Sequence, residues 1–244
     1  MKTLKRILSF FLILMLLSIF TITAFSETQI KPENIESIRI KGNGPVVITG
    51  FIDINPTDDI ILPDTSTIDN QPFESIERSA FKQKEFTGIT TPSSLKTIKT
   101  WAFDRCNNLT TANIVSGELQ DSTFSECPNL KTVTFGENVT KFTCNTFSKC
   151  NENLDLILTA KTPAIIEGDA TKLSCKNIYV PDESYDTYIN AEGFNKLKNI
   201  YKTSAYTENG PKASFSILYI IGGAVLLIAI IIIVIVIIIK KKKK

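Results

Sequence analysis

The 244-residue chain has no histidine, one tryptophan and two methionines. Without histidine there is no Ser-His or Cys-His pair, no imidazole general base and none of the commonest metal ligand. Cysteine is scarce at five residues, and no two of them form a Cys-x-x-Cys pair. No glycine-rich phosphate loop occurs. Carboxylates are the acid–base groups that remain, and a hydrolase would need two of them converging on one exposed face. The sequence nominates no catalytic, cofactor-binding or metal-binding residue.

Charge is also missing from two long runs. Lys2, Lys5 and Arg6 precede an apolar stretch from Ile7 to Ile22 that exits through Ala24-Phe25-Ser26. Basic, apolar and small-x-small segments in that order predict a signal peptide over 1–26. Phe215 to Ile239 is a second run of 25 uncharged residues, followed by Lys240 to Lys244. As a helix it would be about 37 Å long, against a hydrocarbon core of about 30 Å. The sequence therefore predicts a transmembrane helix over 215–239 that contacts the lipid bilayer, with the lysine tail 240–244 in the cytoplasm. That is single-pass type I topology at the plasma membrane, with the ectodomain at the cell surface. A glycosylphosphatidylinositol signal would end in its apolar tail. A cell-wall sorting signal would need Leu-Pro-x-Thr-Gly where Thr207-Glu208-Asn209-Gly210-Pro211-Lys212 stands. Lys241 and Lys242 resemble a dilysine retrieval signal, so a membrane protein retained in the endoplasmic reticulum is the alternative.

Between the two runs, 19 basic residues face 25 acidic ones, so segment 27–214 carries a net charge of −6. On that average the segment has no basis for binding nucleic acid or anionic lipid.

A repeat fills the interior. Phe81, Phe103, Phe124 and Phe147 are spaced by 22, 21 and 23 residues. Each follows an apolar residue by five positions: Ile76, Ile98, Leu119 and Phe142. The last three precede Cys106, Cys127 and Cys150 by three. Strand-like segments follow, Leu109-x-x-Ala112-x-Ile114 and Leu130-x-x-Val133-x-Phe135. A period of 20–29 residues with this spacing signals a leucine-rich repeat, whose units bury their apolar faces only by stacking. The expected fold is a β-rich solenoid of short, stacked parallel strands with an irregular convex side. Its repeat core is Phe81, Phe103, Phe124, Phe147, Cys106, Cys127 and Cys150. The expected divisions are an N-terminal cap over 27–59, repeats over 60–160, a C-terminal cap over 161–203 and a juxtamembrane linker over 204–214.

These units resemble the BspA-like leucine-rich repeats, which read roughly Ile-x-x-x-Ala-Phe-x-x-Cys-x-x-Leu-x-x-Val-x-Ile-Pro. Ile98 to Leu109 and Leu119 to Phe135 carry the match, and Ile178-Tyr179-Val180-Pro181 with Tyr185, Tyr188 and Phe194 resembles that family's capping stretch. Lys84 stands where the first unit would have cysteine. The resemblance implies a surface protein that binds a protein or glycoprotein ligand on a host cell, a neighbouring cell or matrix, with no enzymatic role.

Strand alternation places Thr111, Asn113, Thr132 and Thr134 outward as the possible binding face. A membrane-tethered hydrolase is the competing class, but none of these four is an acid. Asn108-Leu109-Thr110 and Asn138-Val139-Thr140 are glycosylation sequons, with Gly136-Glu137-Asn138 reading as an exposed turn. Cys106 and Cys127 are expected to be buried free thiols, since equivalent residues in a stack point in parallel and a disulfide needs a twist of about 90°. Cys144 is expected to be more exposed, and Cys144 or Cys150 is the candidate to bridge Cys175.

Overall fold

The computed structural model describes residues 27–40 and 44–206. The signal peptide, most of the linker, the apolar run 215–239 and the lysine tail lie outside the described residues. Among the described residues, no helix is long and apolar enough to cross a membrane.

Each turn of the chain contributes to two parallel strand ladders. The first ladder stacks β1 (Glu27–Gln29), β4 (Asp59–Ile61), β6 (Gly88–Thr90), β8 (Thr111–Leu119), β9 (Thr132–Thr143), β10 (Asp155–Leu158), β12 (Asn177–Val180) and β13 (Ile200–Lys202). The second joins β3 (Val46–Phe51), β5 (Phe73–Ile76), β7 (Thr97–Ile98), the far ends of β8 and β9, and β11 (Ile165–Glu167). β8 and β9 are long enough to round the corner and serve both ladders, with register shifts at the bend. β2 (Ile35–Arg39) closes the N-terminal end as an antiparallel partner of β3. The ladders thus run through both segments expected to be caps.

The strand interiors follow from alternation. Ile60, Ile89, Ala112, Val133, Leu156 and Ile178 are ladder partners in one row, and all point into the core. The phenylalanines of the sequence repeat form a second row. Phe81, Phe103, Phe124 and Phe147 are fully buried, and their rings stack at centroid distances of 5.5, 4.9 and 5.9 Å. Burying one such ring contributes about 1.5–3 kcal/mol, and offset stacking adds about 0.5–1.5 kcal/mol.

The third side, expected to be irregular, is regular. Phe81, Phe103 and Phe124 each donate their backbone N–H to the next turn, to the carbonyls of Ala102, Thr123 and Thr146. Two residues before the phenylalanine, Ser79, Trp101 and Ser122 take left-handed φ values of 58°, 61° and 56°. Two residues after it, Gln83, Arg105, Glu126 and Lys149 do the same, at 56–59°. None is glycine, so each position carries a small conformational cost that the inter-turn hydrogen bonds offset. Outside, Lys82 pairs with Asp104 at 3.0 Å, and Glu126 is shared by Arg105 at 2.7 Å and Lys149 at 2.8 Å. Hydrogen bonds from Lys149 and Arg105 hold the Glu126 carboxyl down at about 2.

Cys106, Cys127 and Cys150 fill one slot beside the phenylalanine row, and all five cysteines are free. The three thiols donate to the carbonyls of Phe81, Phe103 and Phe124 at 3.1, 3.1 and 2.7 Å. Cys144 departs from expectation: it is buried, because Gly168 of the next turn lies over its sulfur. No bridge from Cys144 or Cys150 to Cys175 is present. Hydrogen bonds to the Cys106 and Cys150 thiols, then burial, raise the Cys127 pKa, whereas a hydrogen bond from Cys127 lowers that of Cys150. Burial pushes Cys175 up to about 12. Alkylation proceeds through the thiolate. In the native, non-reduced protein, Cys150, the partly exposed member of the slot, should react before the buried Cys106 and Cys127, which stay unmodified until denaturant is added. Mass spectrometry of the labelled peptides reads the order, and a Cys106–Cys127 disulfide peptide would overturn this account of the slot.

The C-terminal end is closed by α1 (Tyr185–Asn190) and a short turn of helix at Phe194–Lys196. Tyr188 and Phe194 are buried edge-to-face at 5.1 Å, and the Tyr188 hydroxyl donates to the Ala160 carbonyl at 2.9 Å. Burial pushes the Tyr188 phenol up to about 12.

Candidate functional site

The outward face of the first ladder presents two rows of side chains. One row reads Asp59, Gly88, Thr111, Thr132, Asp155 and Asn177 along paired positions. The other reads Ile61, Thr90, Asn113, Thr134, Ile157, Tyr179 and Tyr201. Thr111, Asn113 and Thr134, three of the four residues expected on this face, lie there half-exposed. Thr132 does not: it is only 4% exposed. The chain beyond β13 doubles back over the face, and the Tyr206 phenol interacts with Thr132.

That return builds an aromatic corner. Tyr206 meets Tyr179 edge-on at 4.7 Å, and Tyr179 lies 6.0 Å from Tyr201. Tyr201 keeps 44% of its surface exposed. Asp155 borders the corner and accepts a hydrogen bond from the Asn177 amide at 2.8 Å. Burial first, then the Asp155 charge, raises the pKa of the Tyr179 phenol, which stays protonated as a donor. The face thus grades from small hydroxyls to rigid aromatics, the residue type enriched where protein interfaces are anchored.

Sequence reasoning missed Tyr201 and Tyr206 as surface residues and placed Tyr179 in a cap; Ile157, in the same row, is only 6% exposed. The signal was present: Leu154-Asp155-Leu156-Ile157-Leu158 and Asn177-Ile178-Tyr179-Val180 repeat the alternation that selected Thr111 and Asn113. Tyr206 carried no such signal, since it lies outside any strand.

The second ladder holds the carboxylates that a hydrolase would need. A shallow groove of about 530 Å³ runs past Glu118, Asp121, Lys141 and Glu167. Lys141 binds Glu118 at 2.9 Å and Glu167 at 3.7 Å, and the Glu118 hydrogen bond raises the lysine pKa. Asp121 accepts hydrogen bonds from Ser122 and Thr143. One lysine thus serves two of the three carboxylates, and the third, Asp121, is held by hydroxyls alone. No group of three or more metal-ligating side chains occurs among the described residues.

Both sequon asparagines, Asn108 and Asn138, are exposed. Asn138 sits within the bent strand β9 opposite Ser116 and not in a free turn.

Comparison with known proteins agrees with this architecture. The family described as BspA type leucine rich repeat region matches in six copies over residues 74–201. Among solved structures, a T. pallidum leucine rich repeat protein is 19% identical, with a TM-score of 0.51 over 72% of this chain and 84% of that one. That likeness shows the fold. The pneumococcal vaccine antigen PcpA is 16% identical at a TM-score of 0.34, covering 66% of this chain and 51% of that one, too low a score to carry an argument. No curated protein matches the chain.

Proposed function

The chain belongs to the BspA-type leucine-rich repeat family, and from that premise we propose a cell-surface recognition protein that binds a protein or glycoprotein through its first-ladder face. One observation carries the reading: Asn113, Thr134 and Tyr179 lie part-exposed in one row of paired strands that leads, past the covered Ile157, into the aromatic corner. Polar hydroxyls and amides beside rigid tyrosines supply hydrogen bonds and contact area at low entropic cost, as protein-binding surfaces require. In this reading the apolar run 215–239 is the single-pass anchor, and the ectodomain lies outside the cell with Asn108 and Asn138 as glycan acceptors. The protein works as a binding scaffold and not as an enzyme.

Adhesion by cells displaying the full chain tests this. Tyr179→Ala should reduce adhesion about 30-fold, the effect of a hot-spot loss near 2 kcal/mol. Asn113→Lys with Thr134→Lys should remove it, with the fold retained because outward positions carry about 0.5 kcal/mol each. Full adhesion by these folded variants would move the binding site to another side of the solenoid.

A further inference from the structure

The groove on the second ladder carries hydrogen-bonding groups that the fold leaves unused. Gln120 spends its side-chain oxygen on the Thr100 N–H and hydroxyl, which leaves its amide nitrogen without a partner among the described residues. The Asn145 side chain is exposed and makes no hydrogen bond among them. Leu119 and Cys144, the apolar members of the lining, are buried, so amides, hydroxyls and carboxylates form the surface. Trp101 stands beside this groove. Counted from the inward residues Ile76, Ile98, Leu119 and Phe142, it holds the third position of its turn, where the others have Ser79, Ser122 and Asn145. Its chain neighbour Thr100 lines the groove, and so does Asn145, two turns or about 10 Å along the row. Packing does not call for an indole here, since serine fills the same left-handed position in the adjacent turns. A bulky side chain at φ 61° is an outlier of the kind that collects at functional sites. The ring is 39% exposed, with the Arg78 guanidinium over it at 4.3 Å.

We propose that Trp101 and the groove form a second binding site, apart from the first-ladder face, that takes a neutral oligosaccharide. The groove volume of about 530 Å³ lies within the range of about 300–1,000 Å³ for ligand sites, but its lining is polar where most such sites are apolar. A sugar suits that lining, since its ring carries C–H groups on its faces and hydroxyls around its rim. The negative face of the indole attracts the C–H groups, and Gln120, Asp121 and Asn145 offer donors and acceptors to the hydroxyls. Reaching both Trp101 and Asn145 takes more than one sugar ring. A peptide fits less well, because the cores of protein interfaces are apolar and poor in charge. Charge selects a neutral sugar. The groove sets Glu118, Asp121 and Glu167 against Lys141 alone, and an acidic sugar would meet that excess. Beside Trp101, Glu77 is bound by Lys99 at 2.6 Å, while Arg78 makes no ion pair or hydrogen bond among the described residues and is available to a hydroxyl.

The test is fluorescence titration of the full chain in a detergent without a sugar headgroup, since Trp101 is the single tryptophan. The probes are cellotetraose, maltotetraose and chitotetraose, with sialyllactose as the acidic control. At least one neutral tetrasaccharide should shift the emission saturably at millimolar concentration or below. Asn145→Ala should weaken that binding about tenfold, the effect of losing its hydrogen bonds to the sugar. Trp101→Ser installs the residue that the neighbouring turns hold. It should keep the urea midpoint read by circular dichroism and abolish the binding heat in calorimetry. Wild-type binding heat in Trp101→Ser, or no response to any neutral probe, would overturn the site. Binding of sialyllactose as tight as that of the neutral probes would overturn the neutral-sugar assignment. An emission shift produced by an acidic peptide and by no sugar would mark Arg78 and Trp101 as a protein contact and also overturn it.

Discussion

Phe124→Ala is expected to destabilise the solenoid by about 3–5 kcal/mol, the range for emptying a closed aromatic site. Phe124 is fully buried and stacked between Phe103 at 4.9 Å and Phe147 at 5.9 Å. Its neighbours cannot collapse into the vacancy. Phe103 is fixed by its inter-turn hydrogen bond to Thr123, and the backbone at position 124 by one to Thr146, so the turns on either side stay in register. A stacked fold distributes stability between nearest-neighbour turns, so a loss at the centre uncouples the two halves. Urea unfolding followed through the single tryptophan, Trp101, reads the effect, since Arg78 stacks on its ring at 4.3 Å only in the folded state. Phe51→Ala is the control. Phe51 packs 4.7 Å from Phe81 at the N-terminal end of the row but is only partly buried, so its loss should be smaller. A Phe124→Ala cost below about 1 kcal/mol would show that the slot does collapse.

Gly136→Ala should destabilise by about 3 kcal/mol, the upper end for overpacking. Gly136 lies where β9 turns the corner against β8, and a Cβ there would stand 2.4 Å from the Val115 carbonyl oxygen. The obstacle is backbone, and the Val115 strand is held on both sides by its ladder partners. Gly88→Ala makes the contrast. Its Cβ would meet the Asp59 carboxylate at 2.5 Å, but that side chain can swing out of the way. We expect about 1 kcal/mol there. Comparable urea midpoints for the two variants would show that the corner yields as readily as a surface carboxylate.

The same corner shows why parts of the fold were not readable in the chain. In the sequence, Gly136-Glu137-Asn138 has the composition of an exposed turn. A glycine required for a turn and one required for close backbone approach look alike until the neighbouring strand is in place. Cys144 is a second case, because its cover comes from Gly168, 24 residues on. The left-handed positions held by Ser79, Trp101, Arg105 and Glu126 are a third, since the hydrogen bonds that stabilise them come from adjacent turns.

By itself the sequence determined the solenoid, its period, its phenylalanine row and the slot for Cys106 and Cys127. Those features recur every 21 to 23 residues, and only stacking can bury an apolar residue that returns at that interval. It also determined three of the four outward positions, because alternation along a strand is local. Tertiary structure alone decided that Thr132 is covered, that Tyr179, Tyr201 and Tyr206 meet at a corner, and that Glu118 and Glu167 of the groove pair with Lys141. Each depends on which residues of distant turns come to lie side by side, and Tyr206 reaches Thr132 from 74 positions away.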